Sequence, residues 1–217
     1  MNNTQRICLV ILTSFILFAC SKQDKAIGQI EQFINAQNID KTKGDWKQNL
    51  NKPPLLVFSE DKQYLWSMKT NKGDILIELK ASESPMHVSS TIYLTKLGFY
   101  DNIVFHRIIP GFMAQGGDPL GMGAGGPGYE YNGEFESNLS HSKAGMLSMA
   151  NRGAGTDGSQ FFLTFRETAY LDGRHTLFGE VIEGLETLKT LETFGSRRGK
   201  TSEKIEIVKA EIIVKDI

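Results

Sequence analysis

The chain has 217 residues, 40% of them apolar and 23% charged, which excludes wholesale disorder and allows one well-buried domain with a tail. Its 24 basic and 25 acidic side chains give a formal net charge of -1 and are mixed along the sequence, so no extended basic face is available and no nucleic-acid partner is expected.

Arg6 precedes an almost unbroken apolar run, Ile7 to Ala19, that ends in Leu17-Phe18-Ala19-Cys20. The run is too short to cross a bilayer comfortably as a helix and suits the core of a signal peptide. Leu17 to Cys20 resembles a bacterial lipobox, in which a small residue precedes a cysteine that takes a diacylglyceryl thioether and becomes the new N-terminus. Residues 1–19 are therefore read as a signal peptide cleaved before Cys20, the expected lipidation site. Cys8 would leave with that peptide and Cys20 would be acylated, so no thiol remains for a disulfide and the domain must be held by its core. Two or more acyl chains on one residue suffice for lasting attachment. Lys22 stands where many lipoproteins retained in the inner membrane carry aspartate. The expected location is the bacterial cell envelope, at the periplasmic face of the outer membrane.

Residues 20–61 are polar and read as a lipid-anchored tether. Ala26, Ile30, Phe33 and Ile34 stand at helical spacing ahead of the Pro53-Pro54 break, which allows a short amphipathic helix or, equally, a disordered spacer. From residue 62 to the end the pattern is that of a folded domain. Tyr64, Trp66 and Met68 alternate with Leu65, Ser67 and Lys69, and Asn71-Lys72-Gly73 turns the chain into Asp74 to Lys80, predicting a β-hairpin. Ser84-Pro85, the pairs of Val88 with Ile92 and Tyr93 with Leu97, and Gly98 predict a helix from about Pro85 to Leu97. Short apolar runs follow at 104–109, 112–115, 146–149, 161–164 and 177–181, separated by glycine-rich turns, which favours a closed barrel or sandwich. A helix over about 184–193 precedes a last strand from Lys204, in which the apolar set passes from Ile205 and Ile207 to Val208, Ala210, Ile212 and Val214. That phase change suggests a bulge.

Two glycine motifs fail on context. Gly121 to Gly126 matches a dinucleotide-binding fingerprint, but Pro127-Gly128 forbids the helix that must follow, so a surface loop is expected. Gly195 to Thr201 approaches a phosphate-binding loop but is one residue short and follows a helix, so it reads as a solvated basic turn. His87, His106, His141 and His175 lack close metal-ligand spacing, and no metal is expected.

The run Phe105-His106-Arg107-Ile108-Ile109-Pro110-Gly111-Phe112-Met113-Ala114-Gln115-Gly116-Gly117-Asp118 resembles the signature segment of the cyclophilins. So do Ser148-Met149-Ala150-Asn151, Gly158-Ser159-Gln160-Phe161-Phe162 and Tyr170-Leu171-Asp172-Gly173-Arg174-His175-Thr176-Leu177-Phe178-Gly179. The resemblance implies a mainly β fold, a closed eight-stranded antiparallel barrel capped by two α-helices, with a substrate groove on its outer wall. It implies peptidyl-prolyl cis/trans isomerisation, with Arg107 as the catalytic residue. Phe112, Met113, Phe162 and Leu171 would line a proline pocket with His175 at its edge, and Gln115, Ala150, Asn151 and Gln160 would hold the peptide backbone. Tyr170, also at the groove, stands where eukaryotic members usually carry a tryptophan that binds cyclosporin, which argues against tight binding of that drug. Arg152 follows Asn151 where alanine is common and adds a charge beside the site. No bond is made or broken, so no cofactor is expected. The partners implied are proline-containing segments of exported proteins, met by a monomer. The alternative is a non-catalytic module that uses the same groove to retain such segments, and Arg107 is the residue such a module would not need.

Overall fold

The computed structural model of the chain describes residues 23–217, so the expected signal peptide, Cys8 and Cys20 lie outside the described residues. Nine antiparallel strands form one sheet: β1 (Lys62–Thr70), β2 (Gly73–Leu79), β3 (Ile103–Val104), β4 (Arg107–Ile109), β5 (Met113–Gly116), β6 (Met146–Met149), β7 (Phe161–Thr164), β8 (Leu177–Glu183) and β9 (Glu206–Asp216), in the order β3-β9-β1-β2-β8-β6-β7-β5-β4. Laid flat, nine strands would hold the two edges roughly 38 Å apart. Yet the edge strands β3 and β4 are separated in the chain by Phe105 and His106 alone, a step of at most about 10 Å from Val104 to Arg107. The sheet must therefore curl until its edges meet.

This differs from the eight-stranded closed barrel expected. Among the described residues no ladder joins β3 to β4. Phe105 donates its N–H to Ile205 O, whereas Ile108 donates to Gly199 O and accepts from Ser196 N. The turn after the last helix thus occupies the seam. It is anchored there through the backbone of Ser196 and Gly199, while Arg197, Arg198 and Lys200 are exposed, as expected of a solvated basic turn.

Strand alternation sorts the side chains into two sets. Trp66, Met68, Ile75, Ile77, Ile108, Ala114, Leu147, Met149, Phe161 and Leu163 are buried in one core cluster inside the curl. Met113 and Phe162, from the intervening positions, pack with Leu171 in a second, separate cluster. The bulge anticipated near the end is present. Lys69 pairs with Lys209 and Thr70 with Ile207, leaving Val208 unpaired and 41% exposed. Ile207 and Ala210 can then both face inward.

Three α-helices complete the fold: α1 (Lys25–Ala36), α2 (Pro85–Lys96) and α3 (Leu185–Thr193). The second and third match the predicted segments. Helix α1 is no loose part of a spacer. Ala26, Ile27 and Ile30, with Leu50 and Leu56 further along, are buried in the main core, and Phe33 meets Tyr93 of α2 edge to face at 5.4 Å. Asp24 caps α1 by accepting from Ile27 N at 3.0 Å and also accepts from the Tyr64 hydroxyl. Leu56 N donates to Ser89 Oγ at 2.9 Å and Lys41 Nζ to Leu97 O at 2.7 Å. Leu50, Leu56 and these polar ties supply the burial that four apolar side chains on a lone helix could not. Helix α2, pressed between the sheet and this N-terminal layer, buries even Ser89, Ser90, Thr91 and Thr95, as a helix covered on all sides must.

Candidate active site

Arg107 faces Gln115 across β4 and β5, and Gln115 faces Phe162 across β5 and β7. Residues paired across strands project to the same side, as do alternate residues along one strand, so Arg107, Met113, Gln115 and Phe162 share the outer wall. Met113, Phe162 and Leu171 are at most 9% exposed, with Ile109, Phe112 and Ala150 packed against them. Leu171 reaches the cluster from the short helical turn Ala169–Leu171. His175 closes one side, its ring edge-on to Phe162 at 5.4 Å. Its Nδ1 lies 2.9 Å from Met149 O. A carbonyl can only accept, so Nδ1 carries the proton and, in the neutral ring, Nε2 is an acceptor. Tyr170 stacks on Phe112 at 6.3 Å and stays 59% exposed, a rim residue beside an apolar slot.

The guanidinium of Arg107 sits at the lip of that slot: Nη1 is 3.9 Å from Met113 Sδ and donates to Gln115 Oε1 at 3.1 Å. Gln115 Nε2 donates to Gln160 Oε1 at 3.0 Å, and Gln160 Nε2 donates to Gly125 O at 2.8 Å. One nitrogen of the cation is thus held by a chain of amides that ends on the glycine loop. The loop is in turn gathered around Asp118, whose carboxylate accepts the N–H groups of Leu120, Met122, Gly123 and Ala124 at 2.5 to 3.1 Å. Burial alone would raise the Asp118 pKa, but the backbone N–H donors, Leu120 and Met122 first among them, outweigh it and hold the carboxyl below its usual range.

Ala150 N donates to Gln160 O, and the Asn151 side chain donates to Arg174 O and accepts from Gly153 N. Strand β6 has ended at Met149. The main-chain N–H of Asn151 has no partner among the described residues. Arg152, 71% exposed in its side chain, is neutralised by Glu130 at 2.6 Å. All eleven groove residues expected from the resemblance therefore belong to one continuous patch of outer wall.

With this geometry in hand, the likeness to known proteins is specific. The family model for cyclophilin type peptidyl-prolyl cis-trans isomerase matches residues 65–212. The chain belongs to the cyclophilin family. A Cryptosporidium parvum cyclophilin crystal structure superposes with a TM-score of 0.67 at 36% identity, covering 70% of this chain and 98% of that one. A second crystal structure of that cyclophilin, determined in the presence of the dipeptide Ala-Pro, gives 0.66 at 37% identity over 69% and 98%. A Dictyostelium discoideum peptidyl-prolyl cis-trans isomerase is 43% identical over 66% of this chain and 94% of its own. One from Helicobacter pylori is 47% identical over 58% and 78%. The chain spans about a third of the length of the Cryptococcus neoformans isomerase-like relatives it matches at 40% identity, which cover 87% of it.

Two supports of the cyclophilin site and one buried clamp of the fold have no role assigned from the sequence. Asp118 closes the quoted signature segment, and the glycines after it were the signal that its carboxylate would collect backbone donors. Gly199 lies in the basic turn after the last helix. It adopts φ +84°, and a Cβ there would stand 2.6 Å from Arg107 Cγ. Gly199→Ala is therefore expected to push the Arg107 stem aside and lower kcat roughly tenfold with KM little changed, on the general sensitivity of catalysis to misplaced groups; steady-state exchange kinetics would show this.

The third is His87, wholly buried between two carboxylates, with Nδ1 2.6 Å from Glu134 Oε2 and Nε2 2.8 Å from Asp157 Oδ2. Glu134 also accepts the N–H groups of Met86 and His87, capping α2 where Ser84 provides no side-chain cap. Burial opposes charge on His87, but its two partners prevail and raise its pKa above 6.5. Burial would raise the Glu134 pKa, yet the His87 side chain and the two backbone donors lower it below 4.5. A raised histidine pKa contributes stability that is complete below the unfolded value and is lost as pH rises through the folded one. A lowered glutamate pKa contributes stability that is complete above its unfolded value. Both contributions are whole between about pH 4.5 and 6.5. His106 and His141, whose pKa values are lowered by burial, act with the opposite sign, so the variant isolates the clamp. The denaturant midpoint of wild type relative to His87→Gln should be highest in that window and fall toward pH 8; a difference independent of pH would contradict the clamp.

Proposed function

We propose that this chain accelerates cis/trans exchange at X-Pro bonds of exported proteins, while tethered by a lipid on Cys20 to the periplasmic face of a bacterial outer membrane. The observation that carries the catalytic part is the Arg107 guanidinium at the lip of the slot formed by Met113, Phe162 and Leu171.

A peptide C–N bond resists rotation by roughly 18 to 20 kcal/mol because the nitrogen lone pair is delocalised into the carbonyl. At the top of the barrier that delocalisation is lost, and the nitrogen becomes an acceptor that it is in neither ground state. With the pyrrolidine ring in the slot, the N–H groups of Arg107 not engaged by Gln115 would be the donors to that nitrogen. A donor used only in the twisted state lowers the barrier and does not merely tighten binding. Its net worth of about 1.5 to 3 kcal/mol falls short of the roughly 7 kcal/mol needed to raise a rate from about 10⁻² to the order of 10³ s⁻¹. The remainder comes from gripping the ring in an apolar slot while the other side of the bond turns, in surroundings already oriented by the chain of amides from Gln115 to Gly125. The Ala-Pro crystal structure of the Cryptosporidium relative supports a proline ligand.

Exchange spectroscopy on an Ala-Pro peptide with the full chain tests the isomerase reading, and exchange no faster than in buffer would end it. The anchor has its own test. Labelled fatty acid is expected in the wild type and absent from Cys20→Ala, with the label in the outer-membrane fraction.

A further inference from the structure

Beside the proline slot lies a cavity of about 520 Å³ whose near wall is Gln115, Ala150, Asn151 and Gln160. Its far wall is the glycine loop from Gly123 to Glu130 together with Gln48. Gln48 ends the helical turn Trp46–Gln48, ahead of the stretch 65–212 that matches the family. The turn is fixed where it stands. Leu50 N donates to Pro127 O at 2.9 Å, Leu50 is buried in the main core, and Lys47 Nζ donates to Asp101 O at 3.0 Å. Gly128, at φ +96°, lies so close that a Cβ there would come within 3.0 Å of Leu50 N. The side-chain amide of Gln48 makes no hydrogen bond among the described residues. The two charges in the lining, Arg152 and Glu130, satisfy each other, and the hydroxyls of Tyr129, Thr156 and Ser159 are bonded to Ser90, Gly153 O and Gly117 O, which leaves backbone peptides and the side-chain carboxamides to meet a guest.

We propose that the turn 46–48 is part of the substrate site. The cavity receives the side chain of a residue flanking the proline, and Gln48 makes it favour an uncharged polar side chain, asparagine or glutamine. A carboxamide both donates and accepts, matching the Gln48 amide and the loop peptides. A charged side chain would give up water for a wall with no unpaired opposite charge. An alanine would leave the amide of Gln48 unanswered. The proposal rests on the isomerase reading and adds a specificity element from outside the family-matched region.

The test uses the full chain and X-Pro peptides in which one position, on either side of the X-Pro pair, is alanine, glutamine, glutamate or lysine. Wild type is expected to process the glutamine peptide about three- to tenfold faster in kcat/KM than the alanine peptide at one of those positions, with glutamate and lysine no better than alanine. Gln48→Ala should bring that ratio to near one. Gly126→Leu should do the same by filling the cavity, since Gly126 lines it, has no positive φ and has open space around the position of a Cβ. A structural defect would slow all peptides alike. An unchanged ratio in Gln48→Ala, an equal loss on every peptide, or a wild type indifferent to the flanking residue overturns the proposal. Absence of acceleration by the wild type on every peptide overturns the isomerase reading, and this proposal with it.

Discussion

Arg107→Ala is expected to lower kcat for X-Pro exchange about a hundredfold, the usual loss when one preorganised donor to a transition state is removed, while KM changes little. The split follows from geometry. The guanidinium meets Met113 Sδ at the lip of the slot and is held by Gln115, and the slot itself is built by Met113, Phe162 and Leu171, so the ring still binds where those residues exclude water. Arg107→Lys should recover only a small part of the rate, because an ammonium keeps the charge but cannot bond Gln115 and the twisting amide through one planar fork. Exchange spectroscopy gives the rates, and titration of the same peptide gives the affinity. A mutant that keeps its full rate would show that the cation is only the solvent-facing half of a strand. A wild type that binds proline peptides without accelerating their exchange would favour the retaining module over the enzyme.

Removing residues 1–61 is expected to cost the fold most of its stability. Ile27, Ile30, Leu50 and Leu56 leave the core together, and at about 1.5 to 3 kcal/mol for each large buried side chain the gross loss is comparable to the 5 to 15 kcal/mol by which domains are stable. The shorter chain orders fewer residues, which returns part of that loss. What it cannot recover is the outer face of α2, where Ser89, Tyr93 and their neighbours were buried beneath the missing layer. The fragment 62–217 should therefore unfold at a clearly lower urea concentration than the full chain. Ile30→Ala in the full chain should cost about 2 to 5 kcal/mol. Equal midpoints for fragment and full chain would mean that the N-terminal layer is an ornament on an independent domain.

The elements legible in the sequence were those with a strong local cause. Pro85 after Ser84, the alternation from Tyr64 to Met68, and the phase change between Ile207 and Ala210 each act within a few residues, and the structure has a helix, a strand and a bulge there. The groove residues were legible through ordered motif blocks, since Arg107 or Phe162 alone reads as one more residue of a strand. The supports of the groove and the clamp on α2 were not legible in that way. Asp118 acts through backbone N–H groups, Gly199 through a space it leaves open, and His87 through carboxylates far along the chain. None of these has a periodicity.

By itself the sequence determined the hairpin, the helix after Pro85, the bulged last strand and the identity of the groove residues, because short-range sterics and matching motif order are written in neighbouring letters. Only the tertiary structure decided that the edges of a nine-stranded sheet meet across Phe105 and His106, that the polar segment after Cys20 is a layer of the core, and that Gln48 reaches the groove. These depend on surfaces brought together from distant parts of the chain. Their partners are chosen by burial and by the need to satisfy every enclosed hydrogen-bonding group.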